Sequence, residues 1–178
     1  IDATYEDQNL PAILLEKEVE NQPTESYFTK TDIVTGEPVE GAKLQILDEE
    51  GTVVREWITT KEEHLEYALP AGNYFLHEEL PPLEDGYVSA EDVSFEVKED
   101  GTITKVEMQD DFSKVDISKT DITGDTELVG VKLQVLNSKE EVLDEWISDG
   151  TEHRIEYLPV GEELTLRETQ TISGYTLA

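Results

Sequence analysis

The chain has 178 residues and carries 43 Asp and Glu against 13 Lys and Arg, a net charge of −30. That balance excludes nucleic acid and an anionic membrane surface as partners, because both would be repelled. The absence of cysteine excludes disulfides, thiol catalysis and thiolate metal sites together.

Length alone allows one large domain or two of roughly 90 residues each. Val, Ile, Leu, Thr and Tyr are plentiful, Gly or Pro recurs every 8–12 residues or so, and no long window has a helical period, which points to an all-β sandwich. No apolar run is long enough to span a membrane, and no signal peptide is evident. The chain opens in mid-pattern, as an excised piece of a longer polypeptide would. No Asp-x-Asn/Asp-x-Asn/Asp-Gly loop occurs, so neither a metal nor a cofactor is expected.

In chain order, residues 1–24 hold an alternating run in which Ile13, Leu15, Val19 and Asn21 share a face. This is two strands at most, too few for a stable domain. Residues 22–25 read as a linker. From Ser26 a full unit begins, with strands expected at 44–47, 53–58, 65–69, 74–78 and 93–97 and a closing strand that ends at Asp110. Pro70-Ala-Gly72 and Lys98-Glu-Asp-Gly101 supply the tight turns. The second unit starts over at Val115.

The two units are repeats. Gly130-Val-Lys-Leu-Gln-Val-Leu136 matches Gly41-Ala-Lys-Leu-Gln-Ile-Leu47, and Glu145-Trp-Ile147 matches Glu56-Trp-Ile58. Lys119 follows Lys30 by 89 residues, and Asp110 follows Asn21 by the same interval. Leu166-Arg-Glu168 matches Leu76-His-Glu78, and Gly174-Tyr175 matches Gly86-Tyr87. The second unit stops at Ala178, before its last two strands, and the missing strands resemble the N-terminus. Reading on from Ala178 into Ile1 reproduces the pattern from Gly86 to the closing strand. Since 178 is twice 89, the sequence behaves as one period of a longer array cut inside a domain. The expected division is therefore residues 1–24 as the last strands of a preceding or neighbouring module, 25–111 as a complete module, and 112–178 as a module lacking its last strands.

Two neighbouring strands break their own binary pattern, and the same break recurs 89 residues upstream at Asn21 and Lys30. Val106, Met108 and Asp110 share one strand face, and Val115, Ile117 and Lys119 share another. An ionisable residue pointed at a core marks a functional or strained position. With Ser-Lys-Thr-Asp, Gly-Ala-Lys-Leu, Glu-Trp-Ile, Leu-x-Glu and Gly-Tyr in this order, the repeats resemble Cna B-type domains, the immunoglobulin-like or prealbumin-like sandwiches of Gram-positive surface adhesins and pilins.

The resemblance implies tandem sandwich modules in which a first-strand Lys bonds covalently to a last-strand Asp or Asn, assisted by a buried Glu. By position the groups are Lys30, Glu78 and Asp110 in the first unit, and Lys119, Glu168 and Asn21 in the second, with Asn21 supplied by a neighbouring copy. Glu79 stands where the family often has Thr. The residue types suit the reaction. An apolar core favours the neutral, nucleophilic amine and the protonated Glu, which can hydrogen-bond the acceptor carbonyl and relay protons. Attack on Asp110 expels water and attack on Asn21 expels ammonia. This is one turnover upon the protein itself, not enzyme activity in the usual sense.

The remaining candidates read as ordinary structure. Glu79, Glu162 and Glu163 are solvated carboxylates, while His64, His77 and His153 are scattered surface residues. Trp57 and Trp146 pack within strands and form no sugar platform. The expectation is a structural stalk or fibre module outside the cell, partnered by copies of the same repeat, either as a window of a longer array or with residues 1–24 donated into the open module of the next chain. The alternative is a ligand-binding adhesin module for host matrix or glycan, for which no insertion or exposed aromatic patch is evident. A glycosidase using paired carboxylates is disfavoured by the duplication.

Overall fold

A computed structural model describes residues 21–124 and 126–178. The alternating run through Ile13, Leu15 and Val19 lies outside the described residues. Period-two alternation is clearest in β1 (Glu25–Asp32), where Ser26, Phe28, Lys30 and Asp32 are buried and the residues between them are not. Strands β2 (Lys43–Leu47), β3 (Val53–Ile58), β4 (His64–Tyr67), β5 (Gly72–Leu80), β6 (Val93–Val97) and β7 (Thr104–Asp110) follow. A 3-10 turn, Leu83–Asp85, lies in the connection between β5 and β6.

The strands form two sheets, ordered β4-β1-β7 and β3-β2-β5-β6. β1 and β7 run parallel, with Lys30 opposite Met108 and Asp32 opposite Asp110. Parallel neighbours require a long crossover, and here the whole module intervenes between its first and last strands. Between the sheets lies one continuous core that includes Phe28, Leu44, Ile46, Leu76, Val106 and Met108.

The second module repeats this plan with β8 (Lys114–Ile117), β9 (Val129–Leu136), β10 (Val142–Asp149), β11 (His153–Glu156) and β12 (Thr165–Gln170). Its sheets are β10-β9-β12 and β11-β8. The repetition extends to single hydrogen bonds. Ala42 N–H donates to the Thr59 hydroxyl at 2.9 Å, and Val131 N–H donates to the Ser148 hydroxyl at 3.0 Å. Val39 N–H donates to Lys30 C=O, as Leu128 N–H does to Lys119 C=O.

Two expectations need correction. Val115, Ile117 and Lys119 do not form a buried face, since β8 ends at Ile117 and Val115 is 39 % exposed. Among the described residues β8 is paired only with β11, so nothing covers the side that β7 covers on β1. The second core is accordingly split into two small clusters, Leu128, Val131 and Leu133 in one, Val135, Ile155 and Leu158 in the other. The histidines are not scattered either. His64 stacks on Trp57 at 4.0 Å and His153 on Trp146 at 4.2 Å, an equivalent pair 89 residues apart. Each imidazole also meets a carboxylate, Glu66 or Asp144. Only His77, half-exposed beside Asp92, fits the simple surface reading.

Candidate functional site

Lys30 comes from β1 and Asp110 from the end of β7, its immediate neighbour in the same sheet, two positions beyond the Lys30–Met108 pair. Glu78 comes from β5 in the facing sheet, where alternation with Tyr74 and Leu76 turns it inward. The three side chains converge in the core. Lys30 Nζ lies 3.0 Å from Glu78 Oε1 and is in contact with Asp110 Oδ1, and the three side chains are essentially inaccessible to solvent. The Ala90 amide, a group the sequence reading did not single out, donates to Glu78 Oε2 at 2.8 Å and orients the carboxylate.

Charges so placed are costly unless fully satisfied. They are not. Lys30 Nζ, Glu78 Oε1 and both Asp110 oxygens have no hydrogen bond of good geometry among the described residues. Burial pushes the Asp110 carboxyl up to about 7, against the opposing pull of Lys30 and with the repulsion of Glu78 added. An amine held against a carboxyl that readily takes a proton, beside a second carboxyl able to pass protons, has the components of an amide condensation.

The second module brings two of its three predicted residues together. Lys119 Nζ lies 3.2 Å from Glu168 Oε2, with the Glu side chain 3 % exposed and the Lys side chain 22 % exposed. Here the Glu carboxyl is held below its ordinary value. Burial alone would raise it, but the hydrogen-bonded Lys119 ammonium and other hydrogen-bond donors outweigh that effect. This reverses the sequence expectation of a raised Glu, because the pull of Lys119 and of the neighbouring donors exceeds the effect of burial. Lys119 lines an open groove with Ile122, Leu128, Thr171, Gly174 and Tyr175. Asn21 is exposed in the segment ahead of β1 and belongs to no strand.

The expected surface carboxylates behave as such. Glu79 pairs with Lys43 at 2.6 Å and Glu162 accepts from Ser138. Trp57 and Trp146 pack against their cores from the β3 and β10 strands. No cluster of His, Asp or Glu suited to a metal occurs among the described residues, and no helix there is long and apolar enough to cross a membrane.

Two tandem β-sandwiches, each with an equivalent Lys–Glu pair, define the chain as a prealbumin-like array. It belongs to the family described as SpaA, prealbumin-like fold domain, which matches residues 25–111 and 113–178. Among solved structures it is similar to the Bacillus anthracis TIE protein, with 28 % identity and a TM-score of 0.57 over 89 % of this chain. The chain spans 30 % of that protein's length. A streptococcal ancillary pilin is 20 % identical over 90 % of this chain and 57 % of its own, with a TM-score of 0.46. The shaft pilin spaA of Lactobacillus rhamnosus GG is 14 % identical over 88 % of this chain and 91 % of its own, with a TM-score of 0.43. No curated protein matches the chain.

Proposed function

We propose that the chain is a structural stalk module of a bacterial cell-surface protein, locked by an isopeptide bond between Lys30 and Asp110. The observation that carries this reading is the buried Lys30–Glu78–Asp110 cluster, which joins the first and last strands of one module and leaves Lys30 Nζ, Glu78 Oε1 and both Asp110 oxygens without a well-formed hydrogen bond as an ion triad. In the reaction the Lys30 ammonium gives up a proton, its nitrogen lone pair attacks Asp110 Cγ, and a carboxyl oxygen departs as water. Glu78 takes up and returns the protons, so ammonium plus carboxylate become amide plus water with nothing left over. The bond joins residues 80 positions apart, Lys30 and Asp110, and for a loop of that size the chain-entropy model gives about 4.5 kcal/mol. Force entering at β1 and leaving at β7 would then bypass the rest of the fold.

In the second module we infer that Lys119 and Glu168 await Asn21 from another copy, whose residues 1–24 would lie beside β8 by strand addition. The partly exposed Lys119 and the β8 side left unpaired among the described residues favour this reading. Lys119 would attack the Asn21 side-chain carbonyl and release ammonia, building a covalent polymer. Intact mass under denaturing conditions tests both. A monomer lighter by one water, restored to full mass by Lys30→Ala, supports the first bond; multimers lighter by one ammonia per junction support the second. A monomer of unmodified mass would remove the isopeptide and leave a charged, repetitive stalk.

A further inference from the structure

Asp32, two residues beyond Lys30, is 1 % exposed yet belongs to neither the core nor the reactive cluster. Its Oδ1 accepts the amides of Val34 and Thr35, both at 2.8 Å, which closes the turn after β1. Its Oδ2 accepts the hydroxyl of Tyr157 at 2.8 Å, and Tyr157 belongs to the other module. The Tyr157 ring stacks on Phe112 at 4.0 Å and meets Tyr87 edge-on at 5.7 Å.

The backbone is shaped around this side chain. Tyr157 adopts a left-handed conformation, φ 59°, which costs a non-glycine residue energy and needs compensation from its surroundings. Gly86 faces it so closely that a Cβ there would lie 2.4 Å from the Tyr157 carbonyl carbon. Gly86 also has φ +83°, so it is required on two counts. Further bonds seal the joint. Val160 N–H donates to Leu83 C=O at 2.9 Å, and the Ser113 hydroxyl of the connecting segment donates to Leu158 C=O at 2.7 Å.

We propose that Asp32, Gly86, Tyr87 and Phe112 form a seat for the following module, with Tyr157 as the residue that occupies it and holds the two modules in one fixed orientation. The repeat supports a specific role for Tyr157. Its counterpart is Ala68, which shares the left-handed backbone, φ 56°. The flanking bonds recur as well. Ala68 N–H donates to Thr24 C=O as Tyr157 N–H does to Ser113 C=O, and the Thr24 hydroxyl donates to Leu69 C=O at 2.6 Å. The scaffold is thus present in both modules, whereas the aromatic plug is present in one. A first module following another module would present Ala68 and dock without a latch.

Electron–electron distance measurements between spin labels test this on the full chain, where the lack of native cysteine leaves only the labelled sites. Glu50→Cys and Lys139→Cys place labels at equivalent exposed turns, one in each module. The expected result is a single narrow distance distribution that broadens at least twofold in width on Tyr157→Ala. Gly86→Ala attacks the joint from the opposite side and should broaden it equally, so it decides the matter should near-ultraviolet circular dichroism show that Tyr157→Ala unfolds the second module. A broad distribution in the parent chain, or an unchanged width in the variants that fold, overturns the proposal.

Discussion

The two modules hold the same lysine and the same glutamate against each other, at 3.0 Å in the first and 3.2 Å in the second, but in different surroundings. In the first, β7 lies along β1, seals the pair from water and adds Asp110, whose carboxyl is pushed up by burial. In the second, no strand takes that place among the described residues; the lysine remains partly solvated and its glutamate is pulled down. The Lys–Glu pair is therefore common to both modules, and what differs is the last strand, which under the proposed function delivers the electrophile and excludes water in one step.

The largest expected effect comes from breaking the closed site. Glu78→Ala should leave Lys30 and Asp110 unjoined, removing about 4.5 kcal/mol of loop restriction. It also strands a buried charge pair without its third member, a type of defect that costs about 3–5 kcal/mol. Guanidinium unfolding should show the first module losing several kcal/mol while the chain recovers the mass of one water. Full retention of both stability and the mass deficit would show that Glu78 is dispensable.

Completing the open site should act in the opposite direction. A synthetic peptide of residues 1–24, added to the chain, is expected to produce an adduct lighter by one ammonia than the sum of its parts. Lys119→Ala should abolish it, and protection of β8 amides from hydrogen exchange should rise with adduct formation. An adduct that survives Lys119→Ala would point to a different nucleophile and undo the equivalence of the two sites.

Most of this comparison is legible in the sequence, because the repeat lets each module interpret the other. The 89-residue offset aligns Lys30 with Lys119, and alternation in β1 and β7 turns Lys30 and Asp110 inward. What is not legible depends on contacts between elements of unrelated pattern. The Ala90 amide reaches Glu78 from a loop, and backbone donors carry no side-chain signature. Tyr157 sits in a turn that looks ordinary until its left-handed backbone and the close approach of Gly86 are seen. The Trp–His stacks were obscured for a simpler reason. His64 and His153 share the repeat interval, but three histidines in a long acidic chain attract no notice singly. The exposure of Val115 eluded the pattern because alternation specifies a face, not whether anything covers it.

The difference between the cores provides a prediction of intermediate size. Phe28 is 2 % exposed and packs against Trp57 and Phe95 in the single large cluster of the first module. Phe28→Ala should cost about 3–5 kcal/mol, as expected for an aromatic removed from a close-packed interior. Ile155, in one of the two small clusters of the second module, should cost nearer the lower end of the roughly 2–5 kcal/mol range for Ile→Ala, since a split core relaxes more easily around a cavity. Equal losses in denaturant unfolding would mean that the second core is as tightly packed as the first.

The smallest effect concerns the sign of the pH dependence. Glu168 has a folded-state pKa below its ordinary 4.5, so the folded module binds its proton less readily than the unfolded chain does. Its contribution to stability is present above pH 4.5 and is lost as the pH falls through the lowered value. The rest of the chain opposes this in part, because acid also neutralises a net charge of −30 and relieves self-repulsion. Raw stability is therefore the wrong readout, and the difference between the parent and Glu168→Gln is the right one. Amide exchange in β9 and β12, followed from pH 6 to pH 3, should show the parent losing protection relative to the variant, since Gln cannot titrate. Once Lys119 is joined to Asn21 its ammonium is gone, the main force holding the Glu168 carboxyl down disappears, and the pH difference should shrink or reverse. A difference that persists unchanged in the adduct would show that Lys119 is not what depresses Glu168, and that the contrast between the two modules lies in solvation alone.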